Sequence, residues 1–448
     1  MNAAVIDRLR DFLPRQRWYS GDQAPAEVSI LADEHVRDGS PALVDLLVEA
    51  DGARYQVPVG MRPVEERPDF LRGRDEAVIG EVDGHLAYDA VLDPDLGMAL
   101  LDWVGASSES AERVRSVGGE QSNSSLVYDE RLILKVFRRV HPGRNLDIEM
   151  TEALAEAGFD HVARPVATLA RELAGERYDL AVLQPFLAGG VDGWALALTS
   201  LRDLFGVSDT QPVPIITDDM LLAPPPPVDP AEAGGDFAAE ARRLGEITAQ
   251  MHVGLGTALG REAGHGRAWA DDIERAVEAL HNPPFDPTVL LRKLDALRRL
   301  GDVGPAIRLH GDYHLGQVLR TDVGWFVLDF EGEPDRPPTE RRRRLSPLRD
   351  VAGMLRSLEY ASAVALFERD ADCQALAGAW EKRNRKAFLD GYIPVAAGAG
   401  LLPDPAATDI VLAAFELEKA MYELDYERGH RPDWQSIPMT ALRRLAAS

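Results

Sequence analysis

The stretch that decides the fold reads His310-Gly311-Asp312-Tyr313-His314-Leu315-Gly316-Gln317-Val318-Leu319, and Val327-Leu328-Asp329-Phe330-Glu331 follows it closely. The apolar runs Ile307–Leu309 and Trp325–Leu328 predict short strands on either side of a polar loop. A loop between short strands can direct several polar side chains to one point. The sequence therefore predicts a functional site here.

Three polar residues of this segment match the needs of phosphoryl transfer from ATP. Such a site requires a carboxylate that accepts the proton of the attacking hydroxyl, and an amide oxygen and a second carboxylate that hold the metal. Asp312, Gln317 and Asp329 supply these groups in that order. Asp312 and Gln317 are five residues apart, the spacing found in protein-kinase catalytic loops. Protein kinases have Asn where this chain has Gln317, and Gly where it has Glu331. We predict that Asp312 is the base and that Gln317 and Asp329 bind Mg²⁺. The alternative is a turn that Asp312 caps, with Asp329 at a solvated strand end.

A candidate phosphate loop lies upstream, between two strand patterns. Glycine permits close backbone approach, and hydroxyl and amide groups donate hydrogen bonds to phosphate. The predicted contacts are Gln121, Ser122, Asn123, Ser124 and Ser125. No Walker motif occurs in the chain.

A lysine on the following strand completes the predicted nucleotide site. Lys135 lies among apolar residues, where it either faces solvent or reaches the α- and β-phosphates of ATP. Its predicted acidic partner is Glu149, with Glu152 as a rival. Further on, Gln184, Phe186 and Leu187 follow a strand and are predicted to hold adenine through backbone groups.

The acceptor side is predicted near the C-terminus. Lys419, Tyr422, Glu423 and Tyr426 recur at i, i+3, i+4 and i+7 of one predicted helix and therefore share a face. Charged groups would bind the hydroxyls of a neutral polyol, and aromatic rings its C–H surface. Arg428, Asp433 and Trp434 extend this face, while a solvated helix with internal ion pairs is the alternative. The predicted substrate set also includes His310, His314, Arg349 and Asp350.

The chain divides into three stretches by pattern. Residues 1–88 combine a short helix with strands joined at Asp51-Gly52 and Asp83-Gly84, which are type I′ hairpin signals. Residues 89–190 mix strands and helices, and residues 191–448 are mainly helical. Pro224–Pro227 predicts an exposed loop.

Composition limits the possible functions. The 448 residues include 74 acidic and 49 basic ones, giving a net charge of −25, which disfavours binding to nucleic acid or to an anionic membrane. The single cysteine fits a reducing cytosol. The start of the chain carries charges throughout and no apolar run is long enough to span a membrane, so a cytoplasmic protein is predicted.

The chain resembles the maltokinases over essentially its whole length. The similarity includes residues 13–19, the phosphate loop with residues 133–139, the loop 310–317, residues 346–357, and the C-terminal segments 415–427 and 431–434. At Tyr313 the family usually has leucine.

This resemblance implies an α+β, bilobal, protein-kinase-like fold of the aminoglycoside phosphotransferase type, with an N-terminal α/β cap. It implies ATP and Mg²⁺ as cofactors, maltose as the substrate and maltose 1-phosphate as the product. It also implies a place in trehalose-to-glycogen metabolism, with other enzymes of that route as partners. Two alternatives stay open: a kinase of an amino sugar or aminoglycoside, and a catalytically silent binding module.

Overall fold

A computed structural model describes residues 3–21, 23–66, 68–105, 109–118, 123–210, 230, 236–279, 287–333, 336–367 and 373–447. The chain forms two compact units. One comprises Met1–Glu152 with Ala163–Ala188, and the other comprises Ala153–Val162 with Gly189–Ser448. The functional boundaries at residues 88 and 190 stay predictions. The proline segment 224–227 and the loop residues Gln121 and Ser122 lie outside the described residues.

The first unit begins with a helix packed on an antiparallel sheet. Its elements are α1 (Ala3–Phe12), β1 (Val28–Arg37), β2 (Ala42–Ala50), β3 (Ala53–Pro63), β4 (Val78–Val82) and β5 (His85–Asp89). The strand order is β1-β2-β3-β5-β4. Both Asp-Gly turns have positive φ at each residue, 48° and 82° at Asp51-Gly52 and 48° and 76° at Asp83-Gly84. The predicted type I′ signals therefore mark the β2–β3 and β4–β5 hairpins.

A second antiparallel sheet follows in the same unit. Its part of the chain contains α2 (Pro94–Trp103), β6 (Val114–Val117), β7 (Asn123–Tyr128), β8 (Leu132–Phe137), β9 (Arg139–Val140), α3 (Leu146–Glu156), β10 (Ala167–Leu173) and β11 (Glu176–Pro185). The strand order is β10-β11-β8-β7-β6, while β9 pairs with β3 of the first sheet. Strand β8 and its continuation β9 thus connect the two sheets.

Helix α2 shares a buried apolar cluster with both sheets. The cluster contains Tyr88 of β5, Leu96 of α2 and Leu134 of β8. Tyr128 of β7 donates a hydrogen bond from its hydroxyl to the carbonyl of Gly97, at 2.8 Å. The first sheet, of β1–β5, and the second sheet, of β6–β8, β10 and β11, therefore share a core. They are called the cap sheet and the nucleotide sheet below, after the roles predicted for them.

The second unit is mainly helical. Its elements are β12 (Val191–Asp192), α4 (Gly193–Thr210), α5 (Ala238–Ala258), β13 (Glu262–Ala263), α6 (Gly266–Ala279), α7 (Pro287–Arg299), β14 (Pro305–Ala306), β15 (Val318–Thr321), β16 (Gly324–Val327), α8 (Pro338–Arg341), α9 (Leu348–Leu366), α10 (Gln374–Gly398), α11 (Pro405–His430) and α12 (Ser436–Ala447). The first half of α9 is buried on nearly all sides, as expected of a central helix. In the described ranges, no helix combines the length and apolar character needed to cross a membrane.

Helices α5 and α10 approach closely at two glycines. A Cβ atom on Gly245 would lie 2.0 Å from the carbonyl oxygen of Phe388, and one on Gly391 would lie 2.1 Å from that of Arg242. Backbone atoms cannot yield as the end of a flexible side chain does. The close crossing therefore requires glycine at both positions.

We expect Gly245→Ala to lower the free energy of unfolding by about 1–3 kcal/mol, because the added methyl group overpacks the helix crossing. The matched control is Gly378→Ala on the exposed side of α10, where a Cβ meets nothing within 4 Å. This control should gain up to about 1 kcal/mol from helix propensity. Urea unfolding of the three proteins measures both effects. Equal stability of Gly245→Ala and the parent protein would contradict the close crossing.

Candidate active site

The hairpin β15–β16 brings together the two predicted metal ligands. Gln317 ends a short 3-10 turn before β15, and Asp329 follows β16. Val318 pairs with Val327, and the N–H of Leu328 donates to the carbonyl of Gln317 at 2.9 Å. This register places Gln317 Nε2 3.4 Å from Asp329 Oδ2. Residues twelve apart in sequence are therefore neighbours because of strand pairing.

The pair fits a hard divalent cation by its chemistry. Mg²⁺ prefers carboxylate and amide oxygens and keeps several waters. Rotating the side-chain amide of Gln317 by a half-turn exchanges its nitrogen and oxygen and places the oxygen beside Asp329. Both residues would then offer oxygen ligands to a metal ion. Among the described residues, no group of three or more His, Cys, Asp or Glu side chains has a metal-binding arrangement. The role of Gln317 and Asp329 as magnesium ligands stays a prediction.

Asp312, the predicted base, is paired with a lysine of α11. Lys419 Nζ lies 3.1 Å from Asp312 Oδ1 and 3.0 Å from Oε1 of the buried Glu333. Burial opposes the charge of Lys419, but Glu333 and Asp312 outweigh it and raise the pKa of this ammonium well above its usual range. Lys419 was predicted to contact the sugar, and the structure places it beside the predicted base.

Glu333 is a site residue that the sequence reasoning missed. Its carboxylate accepts hydrogen bonds from Lys419, from Arg349 at 3.1 Å, and from Arg336. Burial would raise the pKa of Glu333, but these three cations lower it well below its usual range. Glu333 lies 86 residues before Lys419, so no local pattern could have indicated this contact.

Arg349 connects this acidic centre to the catalytic loop. Its guanidinium donates to Gly311 O at 3.2 Å and to Glu418 Oε2 at 3.1 Å, in addition to Glu333. Burial works against the charge of Arg349, but Glu418 and Glu333 raise its pKa. These contacts hold the loop backbone. A sugar contact by Arg349 stays a prediction.

Asp350 anchors the backbone of the catalytic loop. It is 2% exposed, and its two carboxylate oxygens accept the N–H of His310 at 2.9 Å and the N–H of Gly311 at 3.0 Å. His252 Nε2 lies 3.2 Å away and Tyr392 OH bonds to the other nitrogen of that ring. Burial opposes ionisation of Asp350, but His252, His310 and the backbone N–H of Gly311 lower its pKa. Asp350 was predicted to bind substrate, which stays untested, and its observed contacts hold the loop.

The two loop histidines have different surroundings. His310 is 1% exposed, with Nε2 2.8 Å from Leu328 O and Nδ1 3.3 Å from the N–H of Asp312. Only a ring protonated at Nε2 can make both hydrogen bonds. His314 Nδ1 accepts the N–H of Gly316, its Nε2 lies 3.8 Å from Asp312 Oδ2, and burial lowers its pKa. His310 therefore orders the loop, and His314 is the histidine beside the predicted base.

Helix α11 presents a row of aromatic rings. Lys419 Nζ lies 4.7 Å from the Tyr422 ring centre. The Tyr422 and Tyr426 rings are 6.4 Å apart at 24°, and Tyr426 stacks on His430 at 4.2 Å and 16°. Beside this row lies a cavity of about 450 Å³ lined by Tyr422, Asp425, Tyr426, Arg428, Gly429 and His430. Asp425 and His430 were not among the predicted site residues; Asp425 lies on the predicted helix, and His430 lies two residues beyond its predicted end at Arg428.

Glu423 and Trp434, two of the predicted acceptor residues, do not line this cavity and contact other side chains. Glu423 accepts hydrogen bonds from the fully buried Arg356 at 2.9 and 2.7 Å, and burial raises its pKa. Trp434 packs against Phe367 and lies under the guanidinium of Arg431, 4.4 Å away. Their predicted sugar contacts stay untested.

The predicted nucleotide residues of the first unit lie on neighbouring strands. In the β7–β8 pair, Ser125 lies opposite Lys135 and Ser124 opposite Val136, while Asn123 lies opposite Phe137. Lys135 Nζ lies 3.2 Å from Oδ2 of Asp147, in the first turn of α3. Asp147 is an acidic partner that the sequence reasoning did not choose, whereas Glu149 stays a prediction. The rival Glu152 is paired with Arg144.

The predicted adenine segment follows β11. Gln184 donates from its side chain to Ala163 O at 3.1 Å, and the N–H of Phe186 donates to Arg131 O at 2.7 Å. The Arg115 guanidinium lies 5.6 Å from the Phe186 ring centre, and Leu187 is half-buried. These contacts, with the pairing of Gln184 to Ile133 of β8, hold the segment in place, and its adenine contacts stay a prediction.

Two parts of the chain match known families. Residues 12–93 match the maltokinase N-terminal cap domain, and residues 221–332 match the phosphotransferase enzyme family. The chain therefore has the kinase-like phosphotransferase fold with an N-terminal cap of the maltokinase type. The resemblance to maltokinases of the aminoglycoside phosphotransferase superfamily is thereby confirmed.

Similar proteins include glucosamine kinases. That of Streptacidiphilus jiangxiensis is 29% identical over 371 residues, which cover 79% of this chain and 77% of that protein. That of Mycolicibacterium smegmatis is 27% identical over 77% of this chain and 82% of its own length. A solved glucosamine kinase in complex with glucosamine, ADP and inorganic phosphate superposes with a TM-score of 0.66 at 22% identity, covering 94% of each chain. This structural likeness shows the shared fold.

We expect Glu333→Gln to lower the free energy of unfolding by about 1.5–3 kcal/mol at pH 7, because it removes the buried carboxylate that Lys419, Arg349 and Arg336 share, while Asp312 and Glu418 still pair with these cations. The pKa of Glu333 is lower in the folded than in the unfolded state, so its stabilisation is complete above the ordinary pKa of 4.5 and is lost as pH falls below it. The difference between the parent protein and the variant should therefore shrink in acid. Denaturant unfolding between pH 7 and pH 3 measures it.

The matched control is Glu340→Gln, which changes an exposed carboxylate of α8 in the same stretch of chain. It should leave the unfolding free energy within about 0.5 kcal/mol of the parent protein at every pH. A difference for Glu333→Gln that did not depend on pH would contradict the ionic role of Glu333.

Proposed function

We propose that the protein is an ATP-dependent sugar kinase that phosphorylates the anomeric hydroxyl of maltose, giving maltose 1-phosphate and ADP. The observation that carries this proposal is the hairpin that sets Gln317 beside Asp329, close to a loop in which Asp312 is held by Lys419. A base and a two-residue metal site are the parts that phosphoryl transfer requires. Their joint presence also argues against a catalytically silent binding module.

In the proposed mechanism, Asp312 accepts the proton of the attacking hydroxyl. The hydroxyl oxygen forms a bond to the γ-phosphorus while the bond to the β-phosphate oxygen breaks, and ADP leaves. Lys419 fixes the orientation of the Asp312 carboxylate, and Asp350 fixes the loop that carries it. Mg²⁺ held by Gln317 and Asp329 would offset the negative charge of the phosphates. On the first unit, Lys135 binds the α- and β-phosphates, and Asn123, Ser124 and Ser125 bind phosphate beside it.

The aromatic row of α11 supports a sugar as acceptor. Tyr422, Tyr426 and His430 line the cavity in a row, and the parts of the rings that border it can pack against the C–H surfaces of a sugar, while Asp425 and Arg428 can bind hydroxyls. The adjoining cavity of about 450 Å³ lies within the range of about 300–1,000 Å³ that small-molecule sites occupy. The maltokinase-type cap favours maltose among sugars, and with it a role in trehalose-to-glycogen metabolism in the cytoplasm.

Glucosamine is the second candidate acceptor. Proteins 27–29% identical to this chain are glucosamine kinases. An ammonium group would find a carboxylate at Asp425 in the cavity beside α11.

An acceptor panel separates the two candidates. We expect maltose to give the highest kcat/KM among maltose, glucose, glucosamine and kanamycin, because two sugar rings can use the full row of three aromatic rings. Coupled ADP detection measures the rates, and phosphorus NMR locates the new phosphate ester. A higher kcat/KM for glucosamine would overturn maltose as the substrate and retain the kinase, whereas no ADP with any acceptor would overturn both.

We expect Asp312→Asn to lower kcat by at least about 10²-fold with little change in ATP affinity, because the amide cannot accept the hydroxyl proton. ADP release measures the expected loss of turnover, and calorimetry measures whether ATP affinity is retained. The control is Asp322→Asn, in the exposed turn between β15 and β16, which should retain parental turnover. Parental turnover in Asp312→Asn would sink its assignment as the base.

A further inference from the structure

A buried arginine lies where the nucleotide sheet passes into the cap sheet. Arg138 separates β8, which carries Lys135, from β9, which pairs with the cap strand β3. It is 1% exposed. Its carbonyl accepts the N–H of Gln56 on β3 at 2.8 Å, and its guanidinium lies 5.2 Å from the ring centre of Trp18 in the cap. Both its backbone and its side chain therefore contact the cap.

The guanidinium of Arg138 joins one acid of the cap to one residue of the phosphate loop. Its NH2 group lies 2.7 and 2.6 Å from the two carboxylate oxygens of Asp89, the last residue of β5. Its Nε donates to Ser124 Oγ at 2.8 Å. Asp89 is 6% exposed, so the ion pair is shielded from water. A shielded, charge-assisted contact holds its geometry more firmly than an exposed ion pair.

Ser124 lies at the point where this contact can affect nucleotide binding. It precedes Ser125, which pairs with Lys135, while Ser124 itself pairs with Val136. Because successive side chains of a strand point to opposite faces, the Ser124 side chain lies on the face opposite to Lys135, where it accepts the hydrogen bond from Arg138. This hydrogen bond therefore acts on nucleotide binding through the backbone of Ser124, which fixes the position of its neighbours Asn123 and Ser125.

We propose that Asp89 of the cap is a positioning residue for the nucleotide: through Arg138 it holds Ser124, and with it the start of β7, in the conformation that binds the phosphates of ATP. This gives the cap a role in nucleotide affinity, and it rests on the proposed function as an ATP-dependent kinase. The acceptor residues belong to the other unit of the structure and have no part in this contact.

The test measures MgATP dissociation constants by calorimetry on the full-length protein, with Asp89→Asn, Ser124→Ala and the double variant. We expect each single variant to weaken MgATP binding on the order of tenfold, the scale of losing one hydrogen bond to a charged group. If Asp89 acts through Arg138 on Ser124, the double variant binds MgATP about as well as Ser124→Ala alone. Multiplied losses in the double variant would overturn the proposal.

The matched control is Asp93→Asn, which breaks a second buried ion pair of the cap. Asp93 lies 2.9 Å from Arg62, and its side chain is fully buried. Within the part of the chain that the structure describes, the Asp93 carboxylate accepts hydrogen bonds from Arg62, Tyr88 and the N–H of Asp95, which all lie within residues 62–95. We expect this variant to lose thermal stability as Asp89→Asn does, while its MgATP affinity and acceptor KM stay parental. Equal weakening of MgATP binding in both variants would show a general loss of cap stability and overturn the proposal.

The outcomes separate this inference from the proposed function. If the parent protein does not bind MgATP, the proposed kinase function is contradicted. If the parent protein and Asp89→Asn bind MgATP equally tightly, only the role of Asp89 is contradicted. If Asp89→Asn does not fold, Arg138→Lys replaces it, because lysine keeps the charge beside Asp89 but lacks the fork that also reaches Ser124. Unchanged MgATP affinity in that variant likewise overturns the proposal.

Discussion

One buried carboxylate holds the loop on which the candidate active site depends. Asp350, at the start of α9, accepts the backbone N–H groups of His310 and Gly311 and lies 3.2 Å from His252 of α5, whose other ring nitrogen bonds to Tyr392 of α10. Gly311 has a φ of +87°, a conformation that residues with a side chain avoid, so the loop needs an anchor outside itself. Because three helices converge on this carboxylate, the position of Asp312 is a property of the helical unit as a whole.

Around this anchor, buried cations and carboxylates alternate, and each cation is shared by two carboxylates. Lys419 is shared by Asp312 and Glu333, and Arg349 is shared by Glu333 and Glu418. The described cations nearest the predicted base are therefore already paired with carboxylates. In a protein with a net charge of −25, a polyphosphate substrate would need further positive charge, which the predicted Mg²⁺ site and Lys135 would supply.

The sequence predicted best those features that depend on neighbours along the chain. The Asp-Gly turns and the closeness of Gln317 to Asp329 follow from local backbone preferences and from one hairpin. The C-terminal helix was predicted over residues 409–428, and the structure extends it to Pro405–His430. Prediction was weaker where a partner had to be chosen at a distance. Glu333 was not predicted as a partner of Lys419, because the two residues lie 86 positions apart and meet only through the packing of whole elements.

The sequence by itself determined the chemical identity of the groups: an acid, an amide and a second acid at kinase-like spacing, a lysine in an apolar strand, and aromatic residues at helical intervals. Only the tertiary structure decided their partners. It placed Glu333 between Lys419 and Arg349, turned Glu423 towards the buried Arg356, and joined Asp89 to Ser124 through Arg138. The physical reason is that spacing along a chain fixes direction within one helix or hairpin, whereas contacts between distant segments follow from the packing of whole elements.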